Sequence, residues 1–260
     1  MSALNVNPII NLDKYTSSMK TTLSDKLFFT ELIESDIYVD FGCADGSTLK
    51  ALQNIYPNKI LIGYDINEDM IQLAKSNTSK ILYFSNQTEL IEYLNKYKHL
   101  SKCLILNSVL HEVYTYSSKE ELEEFYQFVF SGIFDYIAIR DMMCSSASNN
   151  QADKSLISKI YQSKNSRQVK EFENVWGKLN TTRQLMHYLL KYRYIENWSR
   201  ELYENYLPIT IEEFLQLIPK NLNIEYSQKF FMPFIHNKIL EDFEIDFHEN
   251  THVKLILHKV

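Results

Sequence analysis

Two glycines and an acid early in the chain have the spacing of a nucleoside-binding site. Gly42 and Gly46 follow a short apolar run, and Asp65 follows a second one. Glycine at such a turn lets a ligand approach the backbone, which a side chain would obstruct. An acid about 20 residues further on can accept hydrogen bonds from both hydroxyls of an unphosphorylated ribose. The spacing therefore predicts that Asp65 holds a ribose and that the turn faces the rest of the ligand.

The turn departs from the fingerprint of dinucleotide-binding proteins. Asp40 precedes it, and Ala44 stands where a middle glycine would be expected. A nicotinamide-dependent oxidoreductase would also need a third close glycine and a helix start suited to phosphate. An oxidoreductase is therefore the weakest of the functions that this turn could serve.

Residues 40–46 instead resemble motif I of class I S-adenosylmethionine (SAM)-dependent methyltransferases. The resemblance implies that the turn faces the methionine portion of SAM, which carries an ammonium, a carboxylate and a sulfonium. Asp40 would then meet a cationic group. Further motifs follow in order, with residues 62–70 similar to the second strand and 104–111 to the fourth strand with its loop. The cofactor residues that this resemblance implies are Asp40, Gly42, Cys43, Ala44, Gly46, Asp65, Ile66, Asn86, Asn107 and Ser108.

Asn86 is the least determined of these residues. Members of this family often place an acid after the third strand, where it holds the adenine amino group, and this chain has none there. Asn86 could offer its amide carbonyl as the acceptor, or it could be an exposed turn residue. The sequence leaves both interpretations open.

Three residues at the ends of predicted strands are candidates for catalysis. His111 lies in the loop that the resemblance places beside the methyl group, and an imidazole can take up the proton that transfer to oxygen or nitrogen releases. It could equally start a short helix and form only local hydrogen bonds. Arg140 and Asp141 end the fifth predicted strand at the same edge, where they would contact substrate or pair with each other. This chemistry requires no metal, and the sequence predicts none.

The loop after the fourth strand also bears on the acceptor. Enzymes that methylate the exocyclic amines of bases commonly show Asn or Asp, two prolines and an aromatic residue there. This chain reads NSVLHE at 107–112, which counts against N6-adenine or N4-cytosine methylation. The loop is more similar to that of small-molecule methyltransferases, and Glu112 is assigned to the substrate side.

The elements that would position these residues alternate along the chain. Short unbroken apolar runs at 37–41, 60–64, 81–84, 103–106 and 136–139 are typical of strands covered on both faces of a parallel sheet. Helical spacing occurs between them. The pattern predicts an α/β fold with a doubly wound, mostly parallel seven-strand sheet, and an earlier helix over residues 22–33 that packs across the cofactor end.

Regular alternation ends after Asp141 and resumes near residue 208. We predict three parts: the N-terminal part of the core over 1–144, a helical insert that covers the substrate side over 145–207, and the C-terminal part of the core over 208–260. Residues 151–206 contain ten basic and six acidic side chains, although the whole chain has a net charge of −6. The simplest explanation of this excess of basic residues is a helical face exposed to solvent.

The aromatic residues of the insert have three interpretations. They could form the insert's own small core, line a pocket for an aromatic or cationic ligand, or stack the bases of a single-stranded nucleic acid whose phosphates meet the basic residues. The candidates for substrate contact here are Tyr188, Tyr192, Arg193 and Trp198.

Composition sets the broad class. The length suits one domain with an insertion, and 45% hydrophobic residues allow a sizeable core. Three cysteines without metal-ligand spacing favour reduced thiols. Without a long apolar run or a leader pattern, the sequence predicts a soluble protein of the cytoplasm that does not associate with membranes.

Taken together, the resemblance implies a methyltransferase that uses SAM, releases S-adenosylhomocysteine (SAH) and methylates an oxygen or nitrogen, with a small molecule favoured as acceptor. A nucleic-acid methyltransferase that uses residues 151–206 and an inactive SAM-binding protein remain as alternatives. The sequence does not indicate the oligomeric state.

Overall fold

The computed structural model describes residues 23–164 and 166–260, and these contain a seven-stranded sheet. The strand order is β3-β2-β1-β4-β5-β7-β6. Strands β1 to β5 are parallel, and β7 pairs antiparallel with both β5 and β6. The strands are β1 (Ile37–Phe41), β2 (Ile60–Tyr64), β3 (Leu82–Phe84), β4 (Lys102–Asn107), β5 (Tyr136–Met142), β6 (Leu222–Phe230) and β7 (His252–Lys259). The predicted α/β class and mostly parallel sheet are confirmed.

Helices alternate with the strands as the apolar spacing predicts. Those of the sheet region are α1 (Leu23–Lys26), α2 (Ser47–Ile55), α3 (Glu68–Asn77), α4 (Gln87–Asn95), α5 (Leu110–Tyr116), α6 (Lys119–Val129) and α11 (Ile211–Leu217). Those of the remaining segments are α7 (Lys154–Gln162), α8 (Val169–Trp176), α9 (Thr182–Lys191), α10 (Trp198–Glu201) and α12 (Pro233–Phe243). Side-chain caps fix several starts, and Asn67, Ser118 and Thr210 accept hydrogen bonds from the first turns of α3, α6 and α11.

The two faces of the sheet are covered by different helices. In β1, Val39 packs on one face with residues of α4, α6 and α11, whereas Tyr38 packs on the other with residues of α2 and α3. Because successive strand residues point to opposite faces, Asp40 lies on the same face as Tyr38. Strand β4 alternates in the same way, which places Asn107 on the same face as Ile105, the residue paired with Asp40.

A second hydrophobic core lies outside the sheet. It combines the predicted insert, 145–207, with residues from the β6–β7 connection, among them Met232, Ile239 and Phe247. We call residues 145–207 and 231–247 together the cap. The three-part division remains a prediction, but its third part, 208–260, contributes one segment to the core of the cap. This contribution could not be predicted, because apolar helical spacing does not reveal which core a helix joins.

The predicted helix over 22–33 differs from the structure. Residue 22 lies outside the described residues, and the rest forms the short helix α1 followed by a 3₁₀ turn at Phe28–Glu31. This segment brings Asp25 and Lys26 to the sheet face that carries Asp40, as shown below.

Two further features concern the chain's environment. The three cysteines are buried and unpaired. None of the helices within 23–164 and 166–260 has the length and apolar composition needed to span a bilayer.

Candidate cofactor and acceptor site

The turn after β1 has a backbone that only small residues accept easily. Gly42, Ala44 and Gly46 have positive φ angles of 76°, 44° and 75°. A Cβ on Gly42 would lie 2.9 Å from Val109, and one on Gly46 would lie 2.7 Å from the Tyr83 hydroxyl. The turn is therefore packed closely against Val109 and Tyr83, and neither glycine position has room for a side chain.

Asp65 anchors this turn. Its Oδ2 accepts a hydrogen bond from the Ala44 amide at 3.0 Å, and its Oδ1 accepts one from the Asn67 amide at 2.9 Å. Burial raises the pKa of the Asp65 carboxyl, and these two amide bonds oppose the rise. A carboxylate has about four acceptor positions, so each oxygen keeps one for a ribose hydroxyl. Asp65 thus lies where the spacing predicts, and it also holds the turn to β2.

Asp40 is a buried carboxyl with unused acceptors. It is 2% exposed, and its side chain has no hydrogen-bond partner among residues 23–164 and 166–260. Burial raises its pKa to about 7, with Lys26 opposing the rise and the acids Asp65 and Asp45 adding to it. A buried carboxyl without a hydrogen-bonded partner among the described residues is suited to bind a cationic group of a ligand.

Lys26 and Asn107 lie on the same face of the sheet. Lys26 is 7% exposed, and its ammonium has no hydrogen-bonded partner in the described part of the chain. Burial and the nearby Arg140 lower its pKa, whereas Asp40 and other acids oppose the change. Asn107 donates to the Lys26 carbonyl at 3.3 Å, but its buried Oδ1 accepts no hydrogen bond. Unsatisfied buried polar atoms are uncommon, and this one is an acceptor next to a carboxylate and an ammonium.

These groups match the tail of SAM in chemical type. A zwitterionic amino acid needs acceptors for its ammonium and a donor for its carboxylate. Asp40 and the orphaned Asn107 carbonyl supply the acceptors, and Lys26 supplies the donor. The residues present therefore fit the cofactor that the resemblance implies.

The structure places the remaining predicted cofactor residues less directly. Cys43 is buried, and burial raises the pKa of its thiol, so only its backbone is available. Ile66 packs against the sheet core. The Asn86 carbonyl caps α4 by accepting from the Thr88 and Glu89 amides at 2.8 and 3.2 Å. The alternative of an exposed turn residue therefore describes Asn86 better than an adenine acceptor does.

Arg140 is held inside the protein, together with Ser108. Its Nε donates to Asp25 at 2.8 Å, and one terminal nitrogen donates to the Ser108 hydroxyl at 3.0 Å. Lys254 also contacts Asp25, at 2.5 Å. Ser108 has a positive φ of 58°, and this contact helps to fix it at the end of β4. Arg140 is 4% exposed, so it positions the loop and does not reach an acceptor as the sequence predicted.

His111 lies between two buried carboxylates. Its Nδ1 is 2.6 Å from Asp141, and its Nε2 is 3.0 Å from Glu204 of the cap. Burial by itself lowers the His111 pKa, but the charge and hydrogen bonds of the two acids outweigh burial and hold the pKa well above its usual value. Both ring nitrogens then donate, and the imidazolium has no lone pair with which to take a proton. In this arrangement His111 joins the core to the cap.

Asp141 is fully buried at 0% exposure. It also accepts from the Leu110 and Met142 amides, both at 2.7 Å. Burial would raise the Asp141 pKa, yet His111 and these amides hold it below its usual value. Both Asp141 oxygens are engaged within the protein, so the prediction that Asp141 contacts substrate has no support here and stays untested; within the described ranges Arg140 and Asp141 do not pair with each other.

Glu112 is the acid at this edge that remains accessible. One oxygen accepts from Arg200 at 3.2 Å, and 34% of the side chain is exposed, so the carboxyl is partly buried. This burial raises the Glu112 pKa to about 7, with the nearby Glu204 adding to the rise and Arg200 opposing it. Glu112 therefore combines a pKa near neutrality with a carboxylate oxygen that can meet a ligand.

His111, Glu112 and Glu204 also have the geometry of a metal-binding group. Arg200 occupies this cluster, however, at 3.2 Å from Glu112 and 3.5 Å from Glu204. A guanidinium so close to both carboxylates already neutralises them, which disfavours a second cation. The cluster is better described as a buried ion-pair network that ties the cap to the loop after β4.

Of the predicted substrate residues of the insert, Tyr188 and Tyr192 lie in the core of the cap, and Arg193 and Trp198 are half-buried. Tyr188 and Tyr192 are buried against Phe243, and the Tyr192 hydroxyl donates to Asp242 at 2.8 Å. Arg193 stacks on Tyr194, and Trp198 donates to Glu171 at 2.7 Å. The structure does not bring these four residues to the edge that carries Asp65 and Glu112. Their assignment to substrate remains untested, and packing explains them.

Three of the basic residues of the insert do not support the nucleic-acid interpretation, because contacts within the protein hold them. Arg183 donates twice to the Leu207 carbonyl, and Arg200 is buried among acids. Lys191 is 0% exposed, donates to the Glu201 and Glu204 carbonyls, and lies under the rings of Phe172, Trp176 and Tyr206. These three rings are not the aromatic residues that the sequence analysis assigned to a ligand pocket, and the cation they surround is the protein's own lysine.

Four functional candidates could not be found from the sequence. Asp25 and Lys26 precede the first recognisable motif, and Arg200 and Glu204 lie in an insert without one. Their positions depend on contacts between distant parts of the chain. The only signal was indirect, namely charged residues in otherwise apolar helical stretches.

Comparisons with solved structures support the fold. A SAM-dependent methyltransferase from Archaeoglobus fulgidus aligns with a TM-score of 0.51 at 18% identity, over 95% of this chain and 97% of that one. One from Anabaena variabilis gives 0.51 at 15% identity, over 100% and 99%. The plantazolicin methyltransferase BamL, in complex with a triazolic desmethylPZN analogue and SAH, gives 0.50 at 13% identity, over 95% and 87%. No family model and no curated protein sequence matches the chain.

This chain therefore has the fold of class I SAM-dependent methyltransferases. The strand order, the mostly parallel sheet and the antiparallel β7 agree with that assignment. At these identities the comparisons establish the fold, and the activity rests on the site.

Proposed function

We propose that this protein is a SAM-dependent methyltransferase that methylates an oxygen or nitrogen of a small molecule enclosed between the sheet edge and the cap. The observation that carries the proposal is the set of unsatisfied groups on one sheet face. Within residues 23–164 and 166–260, the Asn107 carbonyl is a buried acceptor without a partner, and the Asp40 carboxyl and the Lys26 ammonium form no hydrogen bond, beside an Asp65 carboxylate whose oxygens each keep an acceptor position.

Each part of the cofactor has a residue of matching chemistry. Asp65 would accept from the ribose hydroxyls, Asp40 and Asn107 would bind the ammonium, and Lys26 would pair with the carboxylate. When bound, SAM supplies a methyl group that its sulfonium already makes electrophilic. The protein's contribution is therefore to align the acceptor and to exclude water.

Glu112 is the group best suited to take the proton from the acceptor. It lies directly after His111, at the loop that follows β4, and one of its oxygens is not used by Arg200. The charge of Asp65 contributes to the raised pKa of Glu112, and the charge of Glu112 opposes the lowering of the Lys26 pKa. The sequence suggested His111 as the base. Because both of its ring nitrogens donate to carboxylates, we assign it a positioning role instead. The ion pairs of His111 and Arg200 would hold Glu112 in place.

A small acceptor is favoured because the cap closes over this edge through buried contacts. Glu204 reaches His111, and the Asn205 amide donates to Thr115 of α5 at 2.8 Å. The solved complex of the plantazolicin methyltransferase BamL contains a triazolic desmethylPZN analogue together with SAH. An inactive SAM-binding protein is the second candidate, since the cofactor groups do not depend on Glu112.

Calorimetry with SAM, SAH and NAD tests the cofactor assignment. We expect one SAM or SAH to bind per chain and NAD to bind weakly or not at all. Incubation with SAM and a panel of phenols, amines and carboxylic acids, followed by detection of SAH, then separates an enzyme from an inactive binder. Preferential binding of NAD would overturn the proposal.

Asp65→Ala is expected to weaken SAM binding by about 2 to 4 kcal/mol, because two hydrogen bonds to a charged group are lost. The same change also frees the Ala44 amide, so the turn could be disturbed. A SAM analogue that lacks the 2′-hydroxyl separates the two effects: the wild type should discriminate against it, and the variant should not. Asp69→Ala is the matched control, since Asp69 is exposed on the next helix turn. Unchanged affinity in Asp65→Ala would place the ribose elsewhere.

Asp40 makes cofactor affinity depend on pH. Its pKa of about 7 in the free protein means that half of the molecules carry the proton near neutrality. A cationic group binds the carboxylate form, so affinity should rise with pH and be about tenfold weaker at pH 6 than at pH 8. Calorimetry in buffers of different ionisation enthalpy should detect proton release near pH 7. Asp40→Asn should remove both effects, and an unchanged pH profile in that variant would exclude Asp40 from the site.

A further inference from the structure

A second group of potential ligands lies on the outer surface of the cap, away from the cofactor site. His236 is in the first half of α12, and Asp246 and His248 lie in the segment that leads from α12 to β7. The Nε2 atom of His236 is 2.8 Å from Asp246 Oδ1, and the Nε2 atom of His248 is 3.0 Å from Asp246 Oδ2. All three ligand atoms lie within 4.8 Å of one another.

A reversal of chain direction after α12 brings these side chains together. Helix α12 ends at Glu244, which has a positive φ of 54° and turns the chain back along the helix. The returning segment is extended, so its side chains alternate in direction. Ile245 and Phe247 are buried in the core of the cap at 0% and 4% exposure, whereas Asp246 and His248 face outward.

Packing also fixes the third ligand. The Phe231 ring makes edge contacts with both His236 and Phe247, each at 5.9 Å between ring centroids. The ligands are therefore carried by backbone that the hydrophobic core of the cap holds in place. Such preorganisation is what distinguishes a site from a chance group of surface residues.

We propose that His236, Asp246 and His248 bind a divalent transition-metal ion such as Zn²⁺. Two imidazoles and one carboxylate form a nitrogen-rich set that suits zinc, cobalt, nickel or copper and is too poor in oxygen for calcium or magnesium. Zn–N and Zn–O bonds of about 2.0 to 2.2 Å need ligand atoms about 3.3 Å apart in a tetrahedral site. His236 and His248 now contact different oxygens of Asp246, at 2.8 and 3.0 Å, and the three ligand atoms lie within 4.8 Å of one another, so rotation of the side chains would bring two nitrogens and one oxygen to this spacing.

The fourth position would face solvent, because the side chains of Asp246 and His248 are 62% and 76% exposed. Each histidine would bind through Nε2 and keep its proton on Nδ1. The ion would link α12 to the return segment and so stabilise the cap. It would take no part in methyl transfer, because the acceptor edge is built from other residues.

The test is calorimetric titration of ZnCl₂ into the full, tag-free protein, together with the visible absorption of the Co²⁺ form, which reports the ligands. We expect one ion per chain and a higher unfolding temperature with zinc. His248→Ala should weaken binding at least about tenfold, since even the loss of a residue that only supports a ligand costs about 10- to 100-fold. Asp246→Asn should give a similar loss.

Two variants serve as controls. His99→Ala removes an exposed histidine outside the cap and should bind zinc as the wild type does. Glu112→Gln removes a ligand of the buried cluster and should also leave binding unchanged. No binding by the wild type at about 100 μM zinc, far above the affinities of structural sites, would overturn the proposal. So would binding that survives in His248→Ala and Asp246→Asn.

Discussion

Glu112→Gln is expected to lower the rate of methyl transfer about 10²- to 10⁴-fold, the usual contribution of a general base. The change keeps the size of the side chain and an oxygen for the Arg200 contact, but it removes the proton acceptor. SAM affinity should therefore be preserved. The measurement is the initial rate of SAH formation with an acceptor that the wild type uses, at saturating SAM.

The pH dependence gives an independent readout. The carboxylate is the active form of a base, and the Glu112 pKa of about 7 means that wild-type turnover should rise as the pH rises through 7. The turnover of Glu112→Gln should not show this rise with pH. Glu120→Gln, which changes an exposed acid of the neighbouring helix, is the matched control and should behave as the wild type does. Wild-type turnover in Glu112→Gln would leave proton loss to the acceptor itself or to water.

His111→Ala is expected to destabilise the protein by about 3 to 5 kcal/mol, the typical cost of removing one partner from a buried ion pair. The change leaves Asp141 and Glu204 buried without the cation between them. Urea unfolding measures the effect, and His99→Ala should change stability by no more than about 0.5 kcal/mol because that histidine is exposed.

The pH dependence of stability has a definite sign. Because the folded-state pKa of His111 is raised, its contribution is fully present below the unfolded-state value of about 6.5. It is then lost as the pH rises through the higher folded-state pKa. The wild type should lose stability towards alkaline pH by this route, and His111→Ala should not. A variant of unchanged stability that has lost only turnover would instead restore His111 as the catalytic base.

The elements of the core followed closely from sequence periodicity. Strands β1 and β2 are predicted at 37–41 and 60–64, and the structure has these bounds, with helix α2 between them. Buried parallel strands are short apolar runs, and the helices between them must turn one apolar stripe to the sheet, so both leave a local pattern. The predicted bounds of the later elements differ from the observed ones by one to three residues, because capping and fraying determine where an element ends.

The sequence predicted the cofactor part of the site better than the acceptor part. Asp65 and the glycine turn are a local motif, since the chain segments that carry them are joined by one helix and two adjacent strands. His111 and Asp141 were correctly placed at the sheet edge, but their roles were not, because Glu204 approaches His111 from 93 positions further along the chain. The acceptor edge thus depends on a segment that no motif identifies.

The sequence by itself determined the α/β class, the turn after β1 and the acid that follows β2, because each depends on residues that are neighbours along the chain. Only the tertiary structure decided which charged groups are free and which are paired. Lys26 and Asp40 were left without hydrogen-bond partners within the described residues, whereas Arg140, Asp141 and His111 were buried in ion pairs. The physical reason is that pairing and desolvation depend on distances between remote segments, and these set both the pKa of a carboxyl and its availability to a ligand.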